Sequence, residues 1–166
     1  MSDPSSELPI DLPVHLATER LRLILVTPDD ATDMLAGRRQ DRWHPDYPRK
    51  DDVDAASLVR DSSSWGPRHV VLEQQAVGGI GFFGPPMDGE VEVGYGLVEA
   101  VRRRGVATEA LHTLLAETDR LGVRVRASVE PGNTASIRVL AKAGFTDLRG
   151  SNDEGHLVMA RPLPSA

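Results

Sequence analysis

The chain has no cysteine in 166 residues, which excludes disulfides, thiolate metal sites and any acyl-cysteine intermediate. Nor does any stretch approach the roughly 20 consecutive apolar residues of a membrane-spanning helix. The polar start Met1-Ser-Asp-Pro-Ser-Ser-Glu-Leu-Pro9 lacks the basic and apolar regions of a secretory signal, so a cytoplasmic chain without membrane partners is expected. An excess of positive charge is missing too. The formal net charge of -6 argues against nucleic-acid binding, which rests on neutralising phosphates with Lys and Arg. The five histidines show no metal-ligand spacing, and no metal is expected.

What is present suits one globular domain: 40% hydrophobic and 27% charged residues, in a length that buries roughly 70% of the unfolded chain's surface. Residues 1–13, with three prolines and several small polar residues, read as a loose arm before a single domain spanning 14–166. Leu21, Leu23 and Leu25 alternate with Arg20, Arg22 and Ile24, the period of a strand, and Thr27-Pro28-Asp29-Asp30 then opens a helix with Thr27 as N-cap. A loop at 43–48 precedes a second helix over about 51–60. Residues 70–73, 77–83 and 91–98 read as an antiparallel meander.

From Gly105 the period lengthens: Val106, Ala110, Leu111, Leu114, Leu115 and Leu121 recur on one helical face, with His112 opposite it and Gly122 as the stop. A strand over 123–129, a short helix over 134–143 and two late strands ending near Arg161 complete an α/β plan on one core. Gly79-x-Gly81-x-x-Gly84 formally matches a dinucleotide fingerprint. Pro85-Pro86 follows at once, so no helix can begin there to meet a pyrophosphate, and strand glycines are the better reading.

The segment that carries chemistry runs from the third meander strand through Arg102-Arg103-Arg104-Gly105-Val106-Ala107 into the long helix. A helix N-terminus presents unpaired N–H groups and about half a positive charge. Three arginines there conflict with the helix dipole unless an anion binds, and Gly105 lets amides approach it closely. About 30 residues on, Asn133-x-x-Ser136 begins a short helix that ends in Lys142 and the stop Gly144-Phe145.

Together these segments resemble the GNAT superfamily of N-acetyltransferases. Arg102-x-x-Gly105-x-Ala107 matches its pattern Q/R-x-x-G-x-G/A, and Asn133-x-x-Ser136 with Gly144-Phe145 matches its second block. The opening Thr18-Glu-Arg-Leu-Arg-Leu23 and the Gly94-Tyr95 pair are most similar to the branch of ribosomal-protein N-terminal acetyltransferases. The resemblance implies a mixed, mostly antiparallel sheet of about seven strands flanked by about four helices. It also implies acetyl-CoA lying between the strands 91–98 and 123–129. Backbone at Leu97 and Val98 would hold the pantetheine and acetyl groups, amides of Arg103, Arg104, Gly105, Val106, Ala107 and Thr108 the pyrophosphate with charge from Arg102 to Arg104, and Asn133 and Ser136 the pantetheine side. The acceptor is an amine that attacks directly in a ternary complex: a protein N-terminal α-amine, or alternatively a small-molecule amine. A non-catalytic acyl-CoA-binding module is the rival of another class. Either a monomer or a homodimer fits.

An amine attacks only when neutral, which at pH 7 costs on the order of 1 kcal/mol for an α-amine and roughly 4 to 5 kcal/mol for lysine. Glu92 is the leading candidate base and is equally readable as an exposed strand carboxylate; Asp153 and Glu154 are its rivals. Where the family places a tyrosine to protonate the departing thiolate this chain has Leu140, which leaves Ser136 as a substitute acid or a cap support. Trp43, His44 and Tyr47 either line the acceptor pocket or pack the loop.

Overall fold

The computed structural model describes residues 11–59 and 63–163. Eight strands form one sheet in the order β1-β2-β3-β4-β5-β6-β8-β7. They are β1 (His15–Ala17), β2 (Leu21–Leu25), β3 (Pro67–Leu72), β4 (Gln75–Phe82), β5 (Glu90–Leu97), β6 (Arg124–Val129), β7 (Asp147–Ser151) and β8 (Leu157–Arg161). Every neighbouring pair is antiparallel except β5 and β6. The helices among the described residues are α1 (Pro28–Ala36), α2 (Lys50–Ala56), α3 (Val106–Leu121) and α4 (Thr134–Lys142), with a 3-10 turn at Glu99–Val101. No helix among the described residues is long and apolar enough to cross a membrane.

The eighth strand is β1. Three residues with only Leu16 buried carry too little alternation to stand out in the sequence. The end of the expected second helix also differs: α2 stops at Ala56, and Arg60 lies outside the described residues. Of the expected N-terminal arm, residues 1–10 lie outside the described residues, while Leu12 is buried and its N–H donates to Ser64 Oγ.

Helix starts follow local chemistry. The Thr27 hydroxyl accepts from Asp30 N at 3.0 Å with Pro28 next in line, and Asn133 Oδ1 accepts from Ser136 N at 3.1 Å. Helix α3 has no side-chain cap; Gly105 precedes it at φ 74° and Gly122 closes it at φ 70°. Its stripe Val106, Ala110, Leu111, Leu114 and Leu115 is buried, each leucine stabilising the fold by about 2 kcal/mol.

The β4–β5 register decides what faces what. Gly79 pairs with Gly96 and Gly81 with Gly94, so these four glycines share one sheet face; Ile80, Phe82, Val93, Tyr95 and Leu97 share the other. Helix α2 covers the glycine face so closely that a Cβ at Gly79 would lie 2.4 Å from Asp52 Oδ1. Gly79 and Gly81 are therefore strand backbone closely covered by neighbouring chain, and Gly84 lies in the bend beyond β4 at φ 135°, so no helix begins at the triplet.

Candidate active site

Strands β5 and β6 share only three register pairs, Glu90↔Arg124, Val91↔Val125 and Glu92↔Arg126. Beyond them the strands part and leave a split. Charge staples its closed end: Arg126 Nε donates to Glu92 at 3.2 Å and its Nη1 to Glu90 at 2.9 Å, while Arg149 Nη1 also donates to Glu90 at 2.9 Å. The Arg149 hydrogen bond, with help from Arg126, holds the Glu90 carboxyl below its ordinary pKa.

Backbone polarity in the split follows from alternation. Phe83 N donates to the Glu92 carbonyl and Val98 N to the Val77 carbonyl at 2.8 Å. Even-numbered residues of β5 thus spend their backbone groups on β4, and those of Val93, Tyr95 and Leu97 point toward the split. Of the two residues expected to hold the donor, Leu97 faces the split, whereas the N–H of Val98 is committed to β4. The Leu97 carbonyl accepts from Arg102 Nε at 3.1 Å, so Arg102 folds back onto the strand.

At the mouth, Arg103 (φ 66°) and Gly105 (φ 74°) both take left-handed backbone. The turn delivers Val106, Ala107 and Thr108 as the first residues of α3 with no side chain capping their amides. Arg102, Arg103, Arg104 and Gly105 are exposed. The turn is anchored from behind: Arg20 Nη1 donates to the Arg104 carbonyl at 3.0 Å, and Glu109 accepts from Arg20 Nε at 2.8 Å and from the Thr18 hydroxyl. These partners, Thr18 first, lower the Glu109 pKa.

Across the split stands α4. Its Ser136 Oγ lies 2.8 Å from the Tyr95 hydroxyl, and burial raises the Tyr95 pKa, so the phenol is neutral and either hydroxyl can donate. Leu140 is buried one turn further on; Phe145 N closes the helix by donating to the Leu140 carbonyl at 3.0 Å. Arg161 ties β8 to α3 and α4, pairing with Asp119 and donating to the Ala143 carbonyl at 3.0 Å.

A cavity of about 1070 Å³ runs from the split onto the glycine face, bordered by Arg49, Phe83, Glu92, Tyr95, Ser136 and Glu154 among others. The α3 N-terminus opens elsewhere and is not part of it. Of the expected acceptor residues only Tyr47 reaches this cavity. Trp43 is buried edge-on against Tyr47 with ring centres 5.9 Å apart, and His44 Nδ1 accepts from Asp46 N in its own loop. Both are used in packing and turn formation. Tyr47 itself is tied to His69 Nδ1 at 2.6 Å, and His69 Nε2 lies 3.0 Å from Asp30. The His69 ring thus bridges the Tyr47 phenol and the Asp30 carboxylate. Among the carboxylates, Glu92 and Glu154 border the cavity and Asp153 does not.

Three residues with no assigned role in the sequence reading belong here. Tyr95 was visible only as half of the Gly94-Tyr95 pair; Arg126 and Arg49 reach the site from other elements, which no local pattern signals.

The family model described as "Acetyltransferase (GNAT) domain" matches residues 20–146. Solved structures agree on the fold. An acetyltransferase from Agrobacterium tumefaciens superposes with a TM-score of 0.64 at 24% identity, covering 95% of this chain and 98% of that one. A ribosomal-protein-S5-alanine acetyltransferase from Vibrio fischeri gives 0.64 at 16%, covering 92% and 98%. The microcin C7 self-immunity acetyltransferase MccE, solved with acetyl-CoA and AMP, gives 0.61 at 16%, covering 95% and 98%. No curated protein matches the sequence.

Proposed function

The chain belongs to the GNAT acetyltransferases, and from that premise we propose that it acetylates an α-amine, that of a protein or peptide N-terminus, in a ternary complex with acetyl-CoA. The observation that carries the donor half is the split itself. Strand backbone that faces the split at Val93, Tyr95 and the Leu97 N–H suits the amides of a pantetheine arm added like a further strand. The uncapped α3 amides of Val106, Ala107 and Thr108, beside Arg103, Arg104 and Gly105, suit a pyrophosphate. Arg102 supports this site from within, holding the strand end at the Leu97 carbonyl. The side-chain amide of Asn133 keeps its N–H₂ for the pantetheine after its oxygen has capped α4.

Acetyl-CoA supplies a thioester, whose carbonyl carbon accepts the amine nitrogen as the carbon–sulfur bond breaks. Glu92, held in place by the hydrogen bond from Arg126, takes the proton that the amine loses, directly or through one water. Ser136, hydrogen-bonded to the Tyr95 phenol, gives a proton to the departing sulfur; the phenol restores it and regains a proton from solvent, as Glu92 releases its own to solvent, before the next turnover. This pair stands in for the tyrosine absent at Leu140. An α-amine suits a single partly screened carboxylate, since its deprotonation costs on the order of 1 kcal/mol at neutral pH.

Mass spectrometry of a panel incubated with the protein and acetyl-CoA tests the acceptor. Free-N-terminus peptides should gain one acetyl group at the α-amine. Acetylation confined to a polyamine or aminoglycoside would replace that reading with the small-amine one, which exposed carboxylates Asp51, Asp54 and Glu154 around the cavity would also suit.

A further inference from the structure

Resting on that reading, the cavity also says something about what the acceptor carries besides its amine. Arg49 precedes α2, and its side chain crosses the glycine face of the sheet rather than pointing to solvent. A Cβ at Gly96 would lie 2.3 Å from Nη2 and 2.4 Å from Nη1, so the guanidinium lies flat on β5 only because residue 96 has no side chain. Asp52, a buried residue in the first turn of α2, grips it from one edge: Nε donates to Oδ2 at 3.1 Å and Nη2 to Oδ1 at 3.2 Å. Nη1 makes no hydrogen bond among the described residues. The side chain is 23% exposed, and that exposure is to the cavity.

A fork held by a carboxylate on one edge and left open on the other is a pre-organised receptor for an anion, and carboxylate is the planar anion it matches. Its position restricts the ligand. Glu92 and Gly96 lie on the same face of β5, four residues or roughly 13 Å apart. A hydrogen bond to Arg49 and a water-bridged one to Glu92 together span about 8 to 9 Å. Only a few atoms remain between the acceptor's amine and its anionic group.

We propose that Arg49 selects acceptors bearing a carboxylate within a few atoms of the reacting amine. A free α-amino acid has this arrangement, and so does a peptide whose first or second residue is acidic. The rival role, a pin for the start of α2, uses the same Asp52 contacts but predicts no preference for charge.

Calorimetric titration with acetylated products tests the subsite without turnover. N-acetylalanine against N-acetylalaninamide reports the amino-acid source; N-acetyl-Ala-Asp-amide against N-acetyl-Ala-Asn-amide reports the peptide source. In at least one pair the carboxylate should bind about tenfold or more tighter, the worth of a hydrogen-bonded charge. That ratio should shrink in Arg49→Lys and approach one in Arg49→Met/Asp52→Asn, a double variant that leaves no buried charge alone. Equal binding in both pairs, or a ratio that survives the double variant, overturns the proposal. A preserved ratio with reduced thermal stability would assign Arg49 to the pin. Should the ratio appear while no amine releases thiol from acetyl-CoA, the transfer reading fails and the carboxylate subsite stands.

Discussion

The phenol of Tyr95 on β5 meets the hydroxyl of Ser136 on α4 at 2.8 Å, joining residues 41 positions apart in the chain across the open split. Either partner alone reads as structure: an aromatic on a strand, a serine in a first helical turn. Joined in this way, they are the pair proposed to carry a proton to the departing sulfur.

Removing either end of that path should therefore have similar consequences. Tyr95→Phe and Ser136→Ala are each expected to lower kcat by about 10- to 100-fold while leaving acetyl-CoA affinity within about threefold, and the double variant should be little worse than one single variant. Steady-state kinetics with direct binding measurements check this; losses that multiply would show two independent structural roles.

Glu92→Gln should lower kcat by about 10² or more and retain coenzyme binding. Glu154→Gln serves as the comparison, since its carboxylate borders the same cavity from the β7–β8 turn. If the larger loss falls on Glu154→Gln, the base has to be moved there.

Gly105 has no neighbour closer than Arg20, whose Nη2 would lie 3.7 Å from an added Cβ, so a substitution there meets strain at φ 74° rather than a clash. Gly105→Glu is expected to fold and to lose acetyl-CoA affinity by roughly 100-fold or more, because it places a carboxylate where a pyrophosphate approaches. Intact circular dichroism with undiminished affinity would place the coenzyme elsewhere.

Asp30 gives a pH signature. The hydrogen bond from His69 comes first among the effects that lower its pKa from 3.8 to about 2. A depressed carboxylate stabilises the fold above the unfolded-state value and loses that contribution as pH falls through the folded-state value. Stability should drop between about pH 4 and pH 2 by at most about 2 kcal/mol from this group. Chemical unfolding of Asp30→Asn should show lower stability at pH 7 and a flatter decline across that window.

How much of this was legible in the chain depends on how local each signal is. Strand β2 and helix α3 announce themselves because one face of each is buried, leaving period-two and period-3.6 patterns in Leu21 to Leu25 and Val106 to Leu121. The arginine–glycine turn and the helix that follows it were legible too, since they are contiguous in the chain. Strand β1 was not: its pairing with β2 is decided by register rather than composition. The cavity's polar lining is assembled from long-range contacts, Arg49 over Gly96 and Tyr95 against Ser136, and tertiary contacts leave no period. Trp43 shows the converse. An aromatic loop residue suggests a pocket, but packing on Tyr47 and His69 uses the ring.

The split between β5 and β6, with the arginine–glycine turn at its mouth, is the place proposed to hold acetyl-CoA for transfer to an amine. Calorimetric titration of acetyl-CoA into the wild-type protein and Gly105→Glu, with thiol release followed in the same samples, tests it most directly. Saturable binding by the wild type alone, with thiol appearing only once an acceptor amine is added, is the predicted result. Absence of binding, or equal binding and thiol release by both proteins, would contradict it.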